Sequence, residues 1–226
     1  LAAACRLLEH GFRVTVFEQR PFFGGRVYSF NHGPEDLEVD NGQHVFLGCC
    51  TQYINFLKTI GSLNLVNLPT NLRTEIVLNG DKSILRGFPI LGMMHLFPSF
   101  IMYKHLGFVD KLLVAYGLLQ VKLVNRSKGS SRLEYESFYD WLKRHKQTDR
   151  AIENFWNLFI LPSLNDEVRS VSADAGLMVI QEGILNGPSD AAIGLSKVGL
   201  RTLNGDPAKV YLESKGATLG AGKAIK

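Results

Sequence analysis

The sequence predicts an α/β fold in which a domain with parallel strands is interrupted by a second, α+β domain. Three observations support this prediction. A helix of small residues leads into a β-branched strand near the start, an Asn-Gly pair at 79–80 signals a hairpin, and a helix followed by an extended segment ends the chain. Residues 1–65 and 200–226 are therefore assigned to the first domain, and 66–199 to the second.

The composition indicates a globular protein in a reducing compartment. The 226 residues are 46% apolar and 20% charged, which suffices for one large or two modest cores. The net charge of +4 is mild, and no basic run with interleaved aromatic residues favours nucleic acid. Cys5, Cys49 and Cys50 form no CxxC or metal-ligand spacing, so no metal site is expected. We expect a cytoplasmic location.

The first elements are typical of a Rossmann-like FAD/NAD(P)-binding domain. One helical face carries Leu1, Ala4, Cys5 and Leu8, and Gly11 stands where a helix would end. A β-branched strand follows and ends in Glu18, where this fold places the acid that accepts hydrogen bonds from a ribose hydroxyl. The Gly-x-Gly-x-x-Gly turn, the strand before it and an initiator Met are missing from the sequence. The domain is therefore expected to be incomplete, and the chain to be a fragment of a longer protein.

A glycine pair follows the strand. Gly24 and Gly25 allow the backbone to approach a phosphate closely, and Arg26 can donate two hydrogen bonds to its oxygens. Each feature is common by chance. Their order and spacing after a strand that ends in Glu18 indicate an FAD-binding oxidoreductase.

The sequence DNGQH at 40–44 is a second candidate for the site. Asn41 and Gly42 can form a tight turn. In one interpretation Asp40 and Asn41 only satisfy backbone groups, and His44 packs. In the other, the loop lies beside a cofactor, and His44 or Gln43 donates a hydrogen bond to a substrate oxygen. Histidine changes charge near neutral pH, which would suit the protonation of a leaving hydroxyl.

The second domain is predicted to open with an antiparallel hairpin at about 73–86, because Asn79-Gly80 suits a type I′ turn. Residues 87–103 then carry no formal charge. They are just at the lower limit for a membrane span, which needs roughly 20 residues, and two prolines and a glycine interrupt them. They form either a buried core segment, or a surface that enters a bilayer or lines a tunnel for an apolar substrate. Residues 110–124 add a second apolar helical face, with Leu112, Leu113, Tyr116, Leu119 and Leu123.

Residues typical of helix starts predict three helices in the middle of the chain. Ser137 and Asp140 form a predicted capping box. Thr148 can cap a further helix that Pro162 would close, and a third helix is predicted at about 173–185.

The last predicted helix starts with Asp206 as its N-cap and Pro207 as its first residue. It runs to Lys215, and Gly216 caps it. The extended segment that follows is expected to return the chain to the parallel sheet.

The chain resembles a known group of flavoproteins along most of its length. The stretches that carry the resemblance are LAAACRLLEHGFRVTVFEQRPFFGGRVYSF at 1–30, VDNGQHVFLGCCTQYINFLKTIG at 39–61, SFYDWLKRHKQ at 137–147, NFWNLFILPSLNDEVRSVSADAG at 154–176 and GLSKVGL at 194–200. They are similar to the amine-oxidase-like flavoprotein superfamily that includes carotenoid desaturases. More narrowly, they resemble the squalene-associated FAD-dependent desaturases, also called hydroxysqualene dehydroxylases.

The resemblance implies FAD as cofactor and a long isoprenoid as substrate. The cofactor-binding residues it implies are Glu18, Arg20, Gly24, Gly25, Arg26 and Gly42. Glu18 would hold the adenosine ribose, the two arginines would flank the adenosine and pyrophosphate, and the loop of 40–44 would lie on the flavin side. The implied reaction is reductive removal of the hydroxyl of hydroxysqualene to give squalene for hopanoid or related terpenoid synthesis. His44 is the candidate catalytic residue.

Two alternatives remain open. A carotene desaturase would transfer hydride in the other direction, from substrate to flavin, with the same cofactor and a similar tunnel. A truncated, inactive flavoprotein-like binding module is the non-enzymatic alternative, supported by the missing glycine-rich turn. An amine substrate is less expected, because no aromatic cage pattern is visible. A peripheral contact with the inner membrane is expected for the enzyme and for the binding module alike.

Overall fold

The computed structural model describes residues 1–42 and 44–224, without the side chains of 127–131. The chain divides into two compact units. Unit 1 consists of Leu1–Leu68 and Gly194–Lys226, and unit 2 of Pro69–Ile193. The sequence also predicts that the first domain binds the cofactor and that the second, 66–199, faces the substrate or a membrane, and both assignments stay predictions.

Unit 1 combines short strands with helices. Its helices are α1 (Ala2–Glu9), α2 (Thr51–Thr59) and α10 (Asp206–Ser214), with a 3₁₀ turn at Leu63–Leu65 and a π-helical turn at Arg201–Gly205. Its strands are β1 (Thr15–Glu18), β2 (Ser29–His32), β3 (Leu37–Asp40), β4 (Val45–Leu47), β5 (Val66–Asn67), β8 (Ile193–Ser196) and β9 (Thr218–Ala221).

The predicted return of the chain to a parallel sheet is confirmed. β1 pairs with β9 in parallel, with Val16 opposite Leu219. β2 and β3 form an antiparallel hairpin, and β4, β8 and β5 form a three-stranded sheet in that order. The core of unit 1 lies between these strands and the helices. Its buried residues are Ala4, Cys5, Leu57, Ile60, Val66, Leu203, Ala208 and Leu212.

Unit 2 begins with the predicted hairpin, which is confirmed. β6 (Arg73–Leu78) pairs with β7 (Asp81–Arg86), and both turn residues have positive φ, 52° at Asn79 and 85° at Gly80. The helices that follow are α3 (Phe97–Ile101), α4 (Phe108–Leu123), α5 (Arg126–Tyr135), α6 (Phe138–Arg144), α7 (Asp149–Ala151), α8 (Asn157–Leu164) and α9 (Ala173–Ile180). A 3₁₀ segment covers Pro89–Met94, and π-helical turns cover Ile152–Trp156 and Gln181–Leu185.

The core of unit 2 is aromatic. Trp141 and Trp156 are both fully buried, and Phe138 contacts both rings. Phe138 also explains why residue 176 is glycine, since a Cβ there would lie 2.4 Å from the Phe138 ring. The aromatic side chains of α6 and of the segment around Phe155 therefore form this core, as aromatic residues at helical spacing usually do.

Two helix-boundary predictions are wrong. Pro162 lies inside α8, which continues to Leu164 and ends at Asn165 in the left-handed conformation, φ 55°. A proline inside a helix removes one hydrogen bond and crowds the carbonyl four residues earlier, at a cost of about 3 kcal/mol. The packing of this helix, in which Ile160 is fully buried, outweighs that cost. The last helical run begins at Leu200 and not at Asp206, because its first N–H groups are bound by residues from the β2–β3 hairpin.

Candidate functional site

A cavity of about 560 Å³ opens in unit 1 at the end of β1. This volume lies within the range of about 300–1,000 Å³ that is usual for ligand sites. Apolar residues that include Val16, Phe46 and Leu203 form much of its lining. Its polar or glycine lining comes from Glu18, Gly24, Gly25, His44, Tyr53, Ser196 and Asn204. Two predicted features of the site, the strand-end carboxylate and the glycine pair, are therefore brought together here.

Glu18 is placed by the parallel pair of strands. Its Oε1 accepts a hydrogen bond of 3.0 Å from the backbone N–H of Arg20, and its backbone oxygen accepts one from Lys223. Both bonds fix the turn that leaves β1. The carboxylate lines the cavity, where it can accept hydrogen bonds from the hydroxyls of a bound sugar.

Gly24 and Gly25 differ in how strictly the structure requires glycine. At Gly24 φ is 136°, and a Cβ would lie 2.4 Å from the carbonyl oxygen of Val27. That carbonyl belongs to a turn in which the Val27 N–H donates to the Gly24 oxygen. At Gly25 φ is 61°, and a Cβ would meet no heavy atom within 4 Å. Gly24 is thus required by the loop itself, whereas Gly25 leaves open space.

Neither predicted arginine lines the cavity. Arg20 donates from Nη1 to the Gly25 oxygen at 3.3 Å, and its guanidinium lies 4.8 Å from the centre of the Tyr28 ring. Arg20 therefore braces the glycine loop. Arg26 is exposed, and its backbone oxygen accepts a hydrogen bond from Asn41.

In the loop at 40–44, Asp40 fits the interpretation of a structural role, and His44 fits the interpretation of a residue beside a ligand. Asp40 Oδ1 accepts from the backbone N–H of Leu200 at 2.8 Å, so this carboxylate has a structural partner. His44 lines the cavity. Its Nδ1 donates to the Gly42 oxygen at 2.6 Å, which leaves Nε2 as the nitrogen that can act on a ligand. Gly42 does not line the cavity. Gln43 lies outside the described residues.

Tyr53 and Asn204 were missed at the sequence level. Tyr53 donates its hydroxyl to Asn204 Oδ1 at 2.8 Å, and Asn204 Nδ2 donates to the Leu200 oxygen. Burial raises the pKa of the Tyr53 phenol. Tyr53, Phe56 and Leu57 share one face of α2, so this helical spacing was the available signal.

A second cavity, of about 250 Å³, lies in unit 2. Its lining is apolar apart from His95 and Lys122. The apolar residues include Met93, Met94, Phe97, Leu118, Leu119 and Phe155. Because Met94 and Phe97 are also exposed at the surface, the cavity reaches solvent.

An exposed apolar surface surrounds the mouth of this second cavity. We call it the apolar surface of unit 2; it consists of Ile90, Leu91, Met93, Met94, Phe97, Ile101 and Met102 together with Phe108, Val109, Leu112, Tyr116, Leu119 and Leu123 of α4. The buried face of α4 is the other one, with Val114, Gly117 and Val121. Among the described helices, none is long and apolar enough to cross a membrane.

The amino-acid sequence of the chain is similar to those of known proteins over long stretches. The family described as flavin-containing amine oxidoreductase matches residues 1–181. A probable zeta-carotene desaturase of Synechococcus elongatus is 26% identical over 241 residues, covering 100% of this chain and 48% of that protein. The zeta-carotene desaturase of Arabidopsis thaliana is 28% identical over 172 residues, covering 70% of this chain and 29% of that protein.

A hydroxysqualene dehydroxylase of Rhodopseudomonas palustris is 32% identical over a shorter stretch of 93 residues, covering 36% of this chain and 22% of that protein. The chain thus spans half or less of the length of these curated relatives.

Solved structures share the fold. An oxidoreductase from Methanosarcina mazei has a TM-score of 0.63 at 16% identity, covering 98% of this chain and 48% of that one. Putrescine oxidase bound to putrescine has a TM-score of 0.61 at 15% identity, with coverages of 98% and 48%. At such identities the likeness concerns the fold alone, and it confirms the predicted α/β class.

Proposed function

The chain belongs to the family of flavin-containing amine oxidoreductases, and from this premise we propose that it works as an FAD-dependent oxidoreductase on a long isoprenoid. The observation that carries the proposal is the unit 1 cavity, where a strand-end carboxylate and an open glycine meet. The truncated, inactive binding module remains the alternative of another class.

The residues of this cavity fit the nucleotide half of FAD. Glu18 would accept hydrogen bonds from the ribose hydroxyls, and Gly25, which has no heavy atom within 4 Å of a built Cβ, would leave room for a phosphate. Arg26 is the exposed guanidinium next to that glycine and would bind phosphate oxygens. Arg20 would contribute indirectly, by holding the loop. When bound, FAD supplies hydride transfer.

The protein's own part in the chemistry would be proton transfer and exclusion of water. His44 Nε2 is the candidate group, because Nδ1 is committed to the Gly42 oxygen. In the cationic form it would protonate a departing hydroxyl, and in the neutral form it would accept a proton lost from a carbon. If His44→Ala kept both the activity and its pH profile, this role would be excluded.

Desaturation of a carotene is the better supported reaction. The relatives that cover 70–100% of the chain are zeta-carotene desaturases. Removal of the hydroxyl of hydroxysqualene, in the pathway to squalene and hopanoids, is the second candidate. It is favoured by one relative over 36% of the chain.

The test combines cofactor binding with product analysis. The purified protein is expected to show flavin absorbance, and Glu18→Ala to weaken FAD binding at least about tenfold, as the loss of hydrogen bonds to a buried sugar predicts. Glu35→Ala is the matched control, since this exposed carboxylate lies outside the cavity. Incubation with zeta-carotene and with hydroxysqualene then separates the two reactions. Colourless protein that refuses FAD would refute the proposal.

We also propose that the protein is cytoplasmic and that the apolar surface of unit 2 contacts the inner membrane. α4 runs beside residues 89–102 in the opposite direction, because Lys111 Nζ reaches the Ile101 oxygen at 2.6 Å and Lys122 Nζ lies 3.1 Å from Met93 Sδ. Segment 86–124 carries four cations and one anion. Such a charge balance beside apolar side chains suits a layer of anionic lipids.

Flotation with anionic liposomes tests this contact. The double variant Leu112→Ser, Leu119→Ser is expected to reduce the floated fraction several-fold, because both side chains would enter the lipid. Val210→Ser is the control, an exposed apolar residue on α10. Equal flotation of all three proteins would contradict a membrane contact at this surface.

A further inference from the structure

The apolar cavity of unit 2 has a lysine at its edge. The polar side chains of its lining are those of His95 and Lys122, and of these His95 is fully buried whereas Lys122 is exposed. Lys122 Nζ lies 3.1 Å from Met93 Sδ, and a thioether sulfur is only a weak acceptor. Within the part of the chain that the structure describes, no carboxylate pairs with Lys122. Its ammonium group can therefore bind an anion that a ligand brings.

Helix α4 places this cation at the end of an apolar wall. Four residues at positions i, i+3, i+4 and i+7 share one helical face and line the cavity: Ala115, Leu118, Leu119 and Lys122. The acidic residue of segment 86–124 is Asp110, which stands twelve positions before Lys122, about 18 Å along the helix. Asp110 also accepts a hydrogen bond from the Thr148 hydroxyl at 2.6 Å. This face of α4 thus presents alkyl groups that end in a positive charge.

The other wall of the cavity suits a flexible alkyl chain. It includes Met93, Met94 and Phe97, and unbranched methionine side chains adapt their shape to an apolar partner. The volume of about 250 Å³ is below the range of about 300–1,000 Å³ that is usual for small-molecule sites. Met94 and Phe97 are also exposed, so a chain can enter between them and α4. The cavity therefore has room for one slender chain rather than for a ring system.

We propose that the unit 2 cavity binds a single-chain anionic amphiphile, with the alkyl chain in the cavity and the carboxylate or phosphate paired with Lys122 Nζ. A hydrogen bond between two charged groups is stronger than a neutral one, and each buried methylene adds to the affinity. This site goes beyond the proposed membrane contact, because one molecule occupies a defined cavity and no bilayer is needed. It is also separate from the proposed isoprenoid substrate, which has no anionic end.

Isothermal titration calorimetry with ten-carbon ligands, below their micelle concentrations, tests the site. Decanoate or decyl phosphate should bind about tenfold more tightly than decanol, as one hydrogen bond to a charged group predicts. The anion that binds more tightly identifies the natural ligand as a fatty acid or as a phosphorylated lipid. Decyltrimethylammonium should bind more weakly than decanol, because like charges repel. If neither anion bound more tightly than decanol, the inference would be overturned.

Variants separate the cavity from a general attraction of anions. Lys122→Met should abolish the preference for the anions and leave the affinity for decanol nearly unchanged. Lys104→Met is the matched control, because Lys104 is an exposed cation of the same segment that does not line the cavity. Ala115→Trp should weaken the binding of every ligand by filling the cavity, and Ala115 is exposed, so the larger ring does not disturb the core. An equal loss of preference in both lysine variants would contradict the site.

A second measurement uses the wild-type protein alone, so it does not depend on the folding of a variant. With ¹³C-methyl-labelled methionine, decanoate should shift the resonances of Met93 and Met94 and leave those of Met102 and Met178, which do not line the cavity. Met102 is 79% exposed on the apolar surface of unit 2, so an equal shift of its resonance would indicate adsorption over that surface and would overturn the inference. Neither measurement uses flavin, an isoprenoid or a bilayer. A protein that binds decanoate in this way but binds neither FAD nor liposomes would therefore refute only the proposed function and the membrane contact.

Discussion

The two adjacent glycines in the loop after β1, Gly24 and Gly25, differ in how well the structure would tolerate a side chain. Both have positive φ, but only Gly24 faces a backbone atom at a distance that no side chain tolerates. Backbone cannot move aside as a flexible side chain can. The loop that is proposed to meet phosphate is therefore fixed at one residue and permissive at the next.

Gly24→Ala is expected to destabilise the protein by more than about 2 kcal/mol, because a backbone clash adds to the strain of positive φ. Gly25→Ala should cost only about 1–2 kcal/mol, the usual penalty of a left-handed residue. Urea unfolding measures both. A smaller loss for Gly24→Ala than for Gly25→Ala would contradict this order.

Tyr103 gives a prediction about alkaline pH. It is buried, donates its hydroxyl to the Asn154 oxygen at 2.6 Å, and burial raises its pKa to about 12. The native state therefore favours the neutral phenol. This preference for the neutral phenol stabilises the native state fully below the ordinary pKa of about 10. As the pH rises toward 12, this stabilisation of about 2–3 kcal/mol is lost. Unfolding of Tyr103→Phe between pH 9 and pH 12 should lack this part of the decline.

Some site residues could be found from sequence and others could not. Glu18 and Gly24 belong to one local motif, so spacing alone indicated them. Asn204 bonds Tyr53, which is 151 residues away, and His95 bonds Ile184, which is 89 away. No periodicity reports such pairs, because the fold alone brings them together.

At the scale of the element, the helical run that starts at Leu200 is capped by a distant hairpin. Asp40 Oδ1 binds the N–H of Leu200, and Ser29 Oγ accepts the N–H of Arg201 at 3.1 Å. Ser29 in turn donates to Glu38. A Cβ at Gly199 would lie 2.0 Å from the Glu38 carboxyl group, so the hairpin also requires glycine at this position.

Asp40→Ala is therefore expected to cost about 1–2 kcal/mol, the usual loss for a helix N-cap. Asp206→Ala is the matched control. The sequence predicts Asp206 as the cap, but its carboxylate forms an exposed ion pair with Arg201, a type of contact worth about 0–1 kcal/mol. Chemical unfolding that shows a larger loss for Asp206→Ala would contradict the assignment of the cap.

Local signals predicted the elements whose determinants are close in sequence. Ser137 and Thr148 do accept the N–H groups of Asp140 and Ala151, as their capping motifs indicated. The Asn79-Gly80 hairpin is likewise local. The start of the last helix was misplaced because its cap lies about 160 residues earlier, where no local rule could find it.

At the scale of the whole molecule, two separate cores hold the chain. The second core comes from one continuous segment, Pro69–Ile193, and contains both tryptophans. The first needs residues from both ends of the chain. The α/β class followed from the sequence, whereas the extent of exposed apolar area on α4 did not, since periodicity does not tell a buried face from an uncovered one.

Segment 69–193 is expected to fold by itself, since its core contains residues from that segment alone. Expressed alone, it should unfold cooperatively in urea and show the blue-shifted fluorescence of buried tryptophan. A red-shifted spectrum without a cooperative transition would contradict an independent core.

Parallel pairing of β1 with β9 has a consequence for biosynthesis. The two strands are separated by roughly 200 residues, and ribosomes add about 5–20 residues per second. β1 thus emerges some 10–40 s before its partner exists. During that interval the nascent chain carries the edge of β1 that β9 later covers, and such an unpaired edge can pair with another chain.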